Sequence, residues 1–186
     1  MDLLWTPWRY QYVTRSTPPG RKGVPDQLSA WPEDRGCVFC NLIGSAQWAI
    51  ANGMPTAEAE APGHILLQAQ HCFLILNAFP YSSGHLMVIP YQHLPLLAAL
   101  PSEAAAEMMH LTQRAETALC STYKPDGINL GMNLGEAAGA GVAEHIHMHA
   151  LPRWFGDTNF ISVLGETRVL PEALDVTWKR LREALR

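Results

Sequence analysis

The stretch Gly139-Ala-Gly-Val-Ala-Glu-His-Ile-His-Met-His-Ala-Leu-Pro-Arg-Trp154 decides how the rest of the chain is read. Its centre, His145-Ile-His147-Met-His149, alternates imidazole with an apolar side chain, which is the period of a β-strand. Successive strand side chains point to opposite faces. The histidines therefore share one face, and Ile146, Met148 and Ala150 turn into the core. Pro152 cannot donate to a ladder and is expected to end the strand. Valine or isoleucine would pack better on a strand that had only to be buried. Two chemical uses fit three imidazoles in register. They could hold a catalytic zinc as neutral ligands, or one could attack as a nucleophile while its neighbours orient it. The plain alternative is an exposed face that happens to carry histidine.

At 186 residues the chain is long enough to bury a sizeable core and is expected to form one domain. Its composition, 48% hydrophobic and 16% charged with a net charge of −4, is that of a soluble globular protein. A mildly acidic chain lacks the basic face of a nucleic-acid binder, so no nucleic-acid partner is expected. An anionic substrate must then be met locally, by backbone N–H groups, histidines and a few arginines. No apolar run approaches the roughly 18 residues of a membrane span, and the start, Met-Asp-Leu-Leu-Trp, lacks the layout of a signal peptide. No membrane partner is expected, and the location expected is the cytoplasm. Of the four cysteines, Cys37 and Cys40 form a C-x-x-C pair, which in a non-secreted chain points to metal or redox chemistry before a disulfide. Cys72 and Cys120 sit in apolar patterns and read as core.

Residues 1–36 divide into an aromatic arm over 1–12 and an irregular, Pro- and Gly-rich connection over 14–36, leaving 37–186 as the main domain. Asn41 to Glu60 allows a short helix. The runs Ile65–Gln68, Cys72–Asn77 and His85–Pro90 read as antiparallel strands, the last stopped by proline. Between Leu96 and Tyr123 the period becomes helical, with Pro101 and Ser102 as a start and Met108, Leu111, Thr112, Ala115 and Leu119 as a core stripe. Ile128 to Asn133 is a fourth strand, the histidine strand a fifth, and Ile161 to Leu164 another short one. Pro171 to Arg186 reads as a terminal helix. The fold class expected is α+β: an antiparallel five-stranded sheet, one long helix and a C-terminal helix.

With these elements placed, the run His-Ile-His-Met-His-Ala-Leu resembles the signature of the histidine-triad (HIT) superfamily of nucleotidyl hydrolases and transferases. Cys37-x-x-Cys40, Asn77, Gly84-His85-Leu-Met-Val-Ile-Pro90 and Leu151-Pro-Arg153 support the likeness, which covers roughly residues 37–160. Leu4-Trp-x-Pro-Trp-Arg9, Gly139-Ala-Gly141 and Pro152-Arg-Trp-x-Gly-Asp-x-Asn-Phe160 are similar to the bacterial branch that contains diadenosine tetraphosphate phosphorylases, also described as ATP adenylyltransferases.

Central among the histidines, His147 is the best candidate nucleophile. A neutral imidazole can attack an α-phosphate without a metal, and the labile phosphoramidate splits one displacement into two easier steps. Its other ring nitrogen needs an acceptor, such as a backbone carbonyl, to hold the tautomer. The resemblance implies a nucleotidyl-His147 intermediate, with His149 and His85 at the phosphate or leaving group. It implies ribose contact by Asn77 and phosphate contact by Asn133, and Arg153 joins the expected substrate-binding set. The glycines around Asn133, with Gly139 and Gly141, would let the backbone approach a phosphate, though they also suit plain turns. Where many relatives carry a glutamine, this chain has Gly141. The resemblance further implies a structural zinc held by Cys37, Cys40, His93 and His145; two reduced thiols without metal are the alternative. No redox cofactor is expected. The partners implied are a nucleotide, with inorganic phosphate as second substrate, and a second copy of the chain in a homodimer. The reaction implied is cleavage of diadenosine tetraphosphate by phosphate to ATP and ADP. A hydrolase releasing AMP from adenosine derivatives and a non-catalytic nucleotide-binding protein are the alternatives.

Overall fold

The computed structural model describes residues 21–157 and 172–186. The aromatic arm and the short strand expected at 161–164 lie outside them. Strands β1 (Ile65–Gln68), β2 (Cys72–Leu76), β3 (Leu86–Pro90), β4 (Gly127–Gly131) and β5 (Met148–Arg153) form one antiparallel sheet in the order β1-β2-β3-β5-β4. Helices α1 (Val38–Ala51), α2 (Thr56–Glu60), α3 (Ser102–Tyr123) and α4 (Leu174–Ala184) complete the α+β architecture among the described residues.

Side-chain alternation splits the core in two. Cys72, Leu74 and Leu76 of β2, Leu86 and Val88 of β3, and Met148 and Ala150 of β5 pack on one face against Met108, Leu111, Ala115 and Leu119 of α3 and Leu181 of α4. Phe73, Ile75, Met87 and Ile89 point the other way, against Phe39, Ile43, Ala46 and Ala49 of α1. Both faces of β2 and β3 are therefore buried, which is why those runs are continuously apolar. On the α1 face the parity that places Met87 also places His85, the parity of β5 places His149, and His147, just before β5, packs on Phe39 of α1. The polar patch is a continuation of the second core.

Element ends differ from the sequence reading for identifiable reasons. Helix α1 begins immediately after Cys37 and runs for 14 residues, so Cys40 lies in its first turn. Helix α3 begins at Ser102 after Pro101, while Leu97–Ala99 forms a separate 3-10 turn. Strand β5 starts at Met148, because the backbone groups that would extend the ladder toward His145 are taken. The His145 carbonyl accepts from its neighbour His147, the Pro90 carbonyl from His145 Nε2, and Ile146 N–H donates to the Leu94 carbonyl. Nor does Pro152 end the strand. It pairs with Ile128 of β4, and β3 has already stopped at the Leu86–Ala150 pair, so a missing donor on that side breaks no ladder bond.

Residues 21–36 are irregular in backbone yet closely packed. Leu28 and Trp31 are each only 2% exposed. The buried Asn41 of α1 accepts from Arg35 N–H at 2.7 Å and donates to the Lys22 carbonyl and Asp34 Oδ1, both at 2.8 Å. Gly44 gives Trp31 its place: a Cβ there would lie 2.9 Å from the indole.

The turn from β1 to β2 is fastened to α3 by one carboxylate. Glu107 accepts backbone N–H groups from Gln70 at 3.1 Å, Cys72 at 2.7 Å and also His71. Charge-assisted bonds of this kind outweigh neutral ones. Glu107→Ala is expected to lower the unfolding free energy in a denaturant melt by about 2 to 3 kcal/mol. A loss under about 0.5 kcal/mol, the range of an ordinary surface change, would show that the carboxylate is not holding the turn.

Candidate active site

The protonation pattern of the histidines follows from their backbone partners. His147 Nδ1 lies 2.8 Å from the His145 carbonyl, which can only accept, so Nδ1 carries the proton and Nε2 the lone pair. His85 Nδ1 lies 3.2 Å from Tyr81 N–H and 3.3 Å from the Asn77 amide nitrogen, both donors, so its proton is on Nε2. That N–H donates to His149 Nδ1 at 2.9 Å. In a neutral ring His149 then carries its own proton on Nε2. The site holds a nucleophilic nitrogen at His147 beside an N–H donor at His149, with ring centroids 4.8 Å apart. Burial holds His147 below the ordinary imidazole value, and burial followed by the neighbouring His147 pushes His149 down to about 4. Both rings are neutral at pH 7.

These groups open onto a pocket of about 530 Å³. His147, His149, Tyr81, Gly139, Gly141, Val142, Asn77 and Phe79 line it. Val38, Phe39 and Leu42 of α1, Ile75, and the segments Gly23–Pro25 and Pro62–His64 complete it. Phe39 meets His147 edge-on at 5.1 Å and also packs on His145 at 5.5 Å, so α1 touches both. Gly84 adopts φ +81° where a Cβ would press on Tyr123, Leu119 and Pro152, and this closeness seats the turn that delivers His85.

His145 faces elsewhere. Its Nδ1 stands 3.4 Å from Cys37 Sγ, 3.6 Å from Cys40 Sγ and 3.3 Å from His93 Nδ1, while Cys40 Sγ lies 3.5 Å from His93 Nδ1. All four ligand atoms fall within 4.8 Å of one another. A zinc ion about 2.3 Å from sulfur and about 2.0 Å from nitrogen sets tetrahedral edges of about 3.5 Å for N···S and about 3.3 Å for N···N. The three N···S separations and the N···N separation given above have those lengths. His145 Nε2–H donates to the Pro90 carbonyl at 2.9 Å, which directs the Nδ1 lone pair into the cluster. Burial pushes His145 down to about 4 and so keeps it neutral. Burial and the neighbouring Cys37 push the Cys40 thiol up to about 11, an effect a divalent cation would reverse. The residues fit a tetrahedral metal. They also exclude a catalytic zinc on His145, His147 and His149, because the first is turned to the cysteines and the second to its own backbone.

The other expected residues divide. Asn77 lines the pocket with Oδ1 accepting from Phe79 N–H at 2.9 Å. Gly139, at φ +91°, and Gly141 also line it, and Asn133 stands behind Gly139 with its amide nitrogen 3.9 Å from where a Cβ would be. His85 is fully buried and stands behind the pocket lining, bonded to His149, Tyr81 and Asn77. Arg153 lies away from the pocket, at the far end of β5, where it bonds Asp157 at 2.6 and 2.8 Å and Asn129 at 2.7 Å. Sequence reasoning missed Gly23–Pro25, which lie in an aperiodic stretch. It also missed Val38, Phe39 and Leu42; their one signal is an apolar i, i+1, i+4 pattern beginning inside the C-x-x-C pair.

A family model described as HIT domain matches residues 58–156. An AP-4-A phosphorylase of Mycobacterium tuberculosis is 39% identical over 181 residues, 97% of this chain and 83% of that protein. An adenylylsulfatase of Arabidopsis thaliana is 32% identical over 117 residues, 63% of this chain and 52% of that protein. Among solved structures, a zinc-bound histidine triad family protein from Mycobacterium smegmatis matches with a TM-score of 0.58 at 30% identity, covering 80% of this chain and 92% of that one.

The depressed value of His149 has a measurable consequence. Folding lowers its affinity for a proton, so the unfolded chain binds more protons between pH 6.5 and about 4, and stability from this group falls as pH drops through that window. The His149 imidazole is expected to titrate near pH 4 by NMR. A midpoint at or above the ordinary imidazole value would contradict the buried, neutral relay.

Proposed function

This chain belongs to the HIT family, and from that membership and the geometry of its pocket we propose an enzyme that cleaves dinucleoside polyphosphates through a nucleotidyl-His147 intermediate. The observation that carries the reading is the 2.8 Å bond from His147 Nδ1 to the His145 carbonyl, which leaves Nε2 as a fixed, unprotonated nucleophile lining the pocket. That nitrogen attacks the α-phosphorus of the substrate. A P–N bond forms, the P–O bond to the remaining phosphates breaks, and with diadenosine tetraphosphate the departing group is ATP. His149 Nε2–H stabilises the developing charge at the phosphate oxygens, in the orientation set by His85. An oxygen of inorganic phosphate then attacks the same phosphorus, the P–N bond breaks, and ADP leaves with His147 restored.

Phosphate as the second nucleophile is supported by the 39% identical relative, which is itself an AP-4-A phosphorylase and aligns with 97% of this chain. Asn77, with one lone pair of Oδ1 still available beyond the Phe79 bond, is assigned to the ribose. Asn133, Gly139 and Gly141 are assigned to the phosphates. Arg153 is left out of this set, since Asp157 and Asn129 hold it beyond the pocket. The exposed Met109 on α3 and Leu130 on the edge strand β4 are apolar surfaces consistent with a homodimer. No described helix is long and apolar enough to cross a membrane. A cytoplasmic location suits the four cysteines, all unpaired.

In the Cys37, Cys40, His93 and His145 cluster we place a zinc ion. Four protein ligands would close its coordination, so it would supply structure and not Lewis-acid chemistry. By joining Cys37 and Cys40 at the start of α1 to the histidine segment, these residues hold the Phe39 wall against His147.

With diadenosine tetraphosphate, ADP should form only when inorganic phosphate is present; AMP plus ATP in its absence would identify a hydrolase instead. His147→Ala should lower turnover by about 10⁴-fold or more while nucleotide still binds, and retained turnover would overturn the nucleophile assignment. For the metal, elemental analysis should find one zinc per chain, Cys40→Ser should lose it, and chelation should lower the melting temperature. A zinc-free protein with a melting temperature indifferent to chelator would contradict the assignment.

A further inference from the structure

His64 stands where glycine would be the ordinary choice. It follows Gly63 at the end of a 3-10 turn and adopts the left-handed conformation, φ 50° and ψ 37°. Only Lys124, at the end of α3, shares a positive φ among the described non-glycine residues. A left-handed histidine is strained, and strain of this kind persists where the side chain has a use. His64 lines the pocket. Its Nε2 lies 3.0 Å from Asp175 Oδ1, so the ring donates to the first turn of α4.

His64 is also at the far end of the pocket from the chemistry. It abuts β1, its carbonyl accepting from Leu76 N–H at 3.2 Å, whereas His149 is on β5, three strands away in the sheet order. At about 4.8 Å per strand this is about 14 Å. Asn77, at the end of β2, lies between. Next to His64 the lining is apolar: Pro62 and Gly63 precede it, and Leu42 packs on Gly63, where a Cβ would meet it at 3.1 Å. An apolar slot bounded by one oriented ring has the chemistry of a nucleobase subsite. A second tie fixes the same wall. Glu60, just before the 3-10 turn and 4% exposed, pairs with Arg182 of α4 at 2.6 Å and accepts from Gln68 at 2.9 Å. Helix α4 thus braces the segment at two points, although the matching family model ends at residue 156.

We propose that His64 is a specificity-determining residue that packs on the nucleobase, with Asp175 as the positioning residue that sets its ring, so that the C-terminal helix shapes the base end of the pocket. The proposal rests on the nucleotide reading of the pocket given above.

The test is calorimetric titration with AMP and with ribose 5-phosphate, which lacks the base. His64→Gly removes the ring and relieves the backbone strain, so its melting temperature should not fall, yet its Kd for AMP should rise about tenfold. Its Kd for ribose 5-phosphate should not change. Asp175→Ala should weaken AMP about threefold, and the double variant should be no weaker than His64→Gly alone, because Asp175 acts through His64. Wild-type AMP affinity in His64→Gly overturns the proposal while leaving the reaction at His147 intact. Equal losses for AMP and ribose 5-phosphate, or additive losses in the double variant, likewise overturn it. A wild-type protein that binds no AMP would overturn the nucleotide reading together with it.

Discussion

One hydrogen bond, from the His147 imidazole back to the carbonyl two residues earlier, governs the proposed reaction site. It settles which nitrogen of His147 holds the proton. By occupying a carbonyl that a strand would use, it also helps stop β5 at Met148. The segment from His145 to His147 is therefore held by side chains: His145 to the Pro90 carbonyl and the cysteines, His147 to its own backbone. Such anchors are more exacting than a ladder, because each ring has one orientation that satisfies both of its nitrogens.

The sheet separates structure from reactivity by parity. Residues of one parity on β3 and β5 pack against α3 and α4; those of the other face α1 and continue from apolar core into the histidine relay. Helix α1 is the common neighbour. Its first two turns carry Cys40 for the metal cluster, Phe39 against two histidine rings, Asn41 for the 21–36 segment, and Val38 and Leu42 for the pocket wall. A displacement of this helix would disturb all of these together. On that dependence, the cluster that could hold a metal stands beside, and not within, the proposed reaction site.

Much of this was legible in the sequence, for definite reasons. The apolar runs of β2 and β3 reflect strand parity directly, and the α3 stripe reflects helical period; of the three histidines only His149 lies within β5, and His145 turns to the cysteines instead of sharing a face with the other two. The class of fold follows from those periods. The cluster of Cys37, Cys40, His93 and His145 has no period, and its members are up to 108 residues apart; only likeness to a known pattern joined them. The packing of Gly23–Pro25 and Trp31 could not be read, because it depends on bonds from Asn41 and space left by Gly44. Arg153 is outside the lining of the described pocket, bonded to Asp157 and Asn129, and no period in the sequence reports that position. Along an extended strand, four residues beyond His149 is already more than about 13 Å.

The central claim is a covalent bond between His147 and a nucleotidyl group, and it can be observed directly. The protein would be mixed with diadenosine tetraphosphate in phosphate-free buffer, quenched in alkali and digested, and its peptides analysed by mass spectrometry. The account predicts one adenylyl group on the peptide containing His147, discharged as ADP when inorganic phosphate is added before the quench. Product formation with no adduct in rapidly quenched samples, or an adduct on another residue that phosphate discharges, would contradict it.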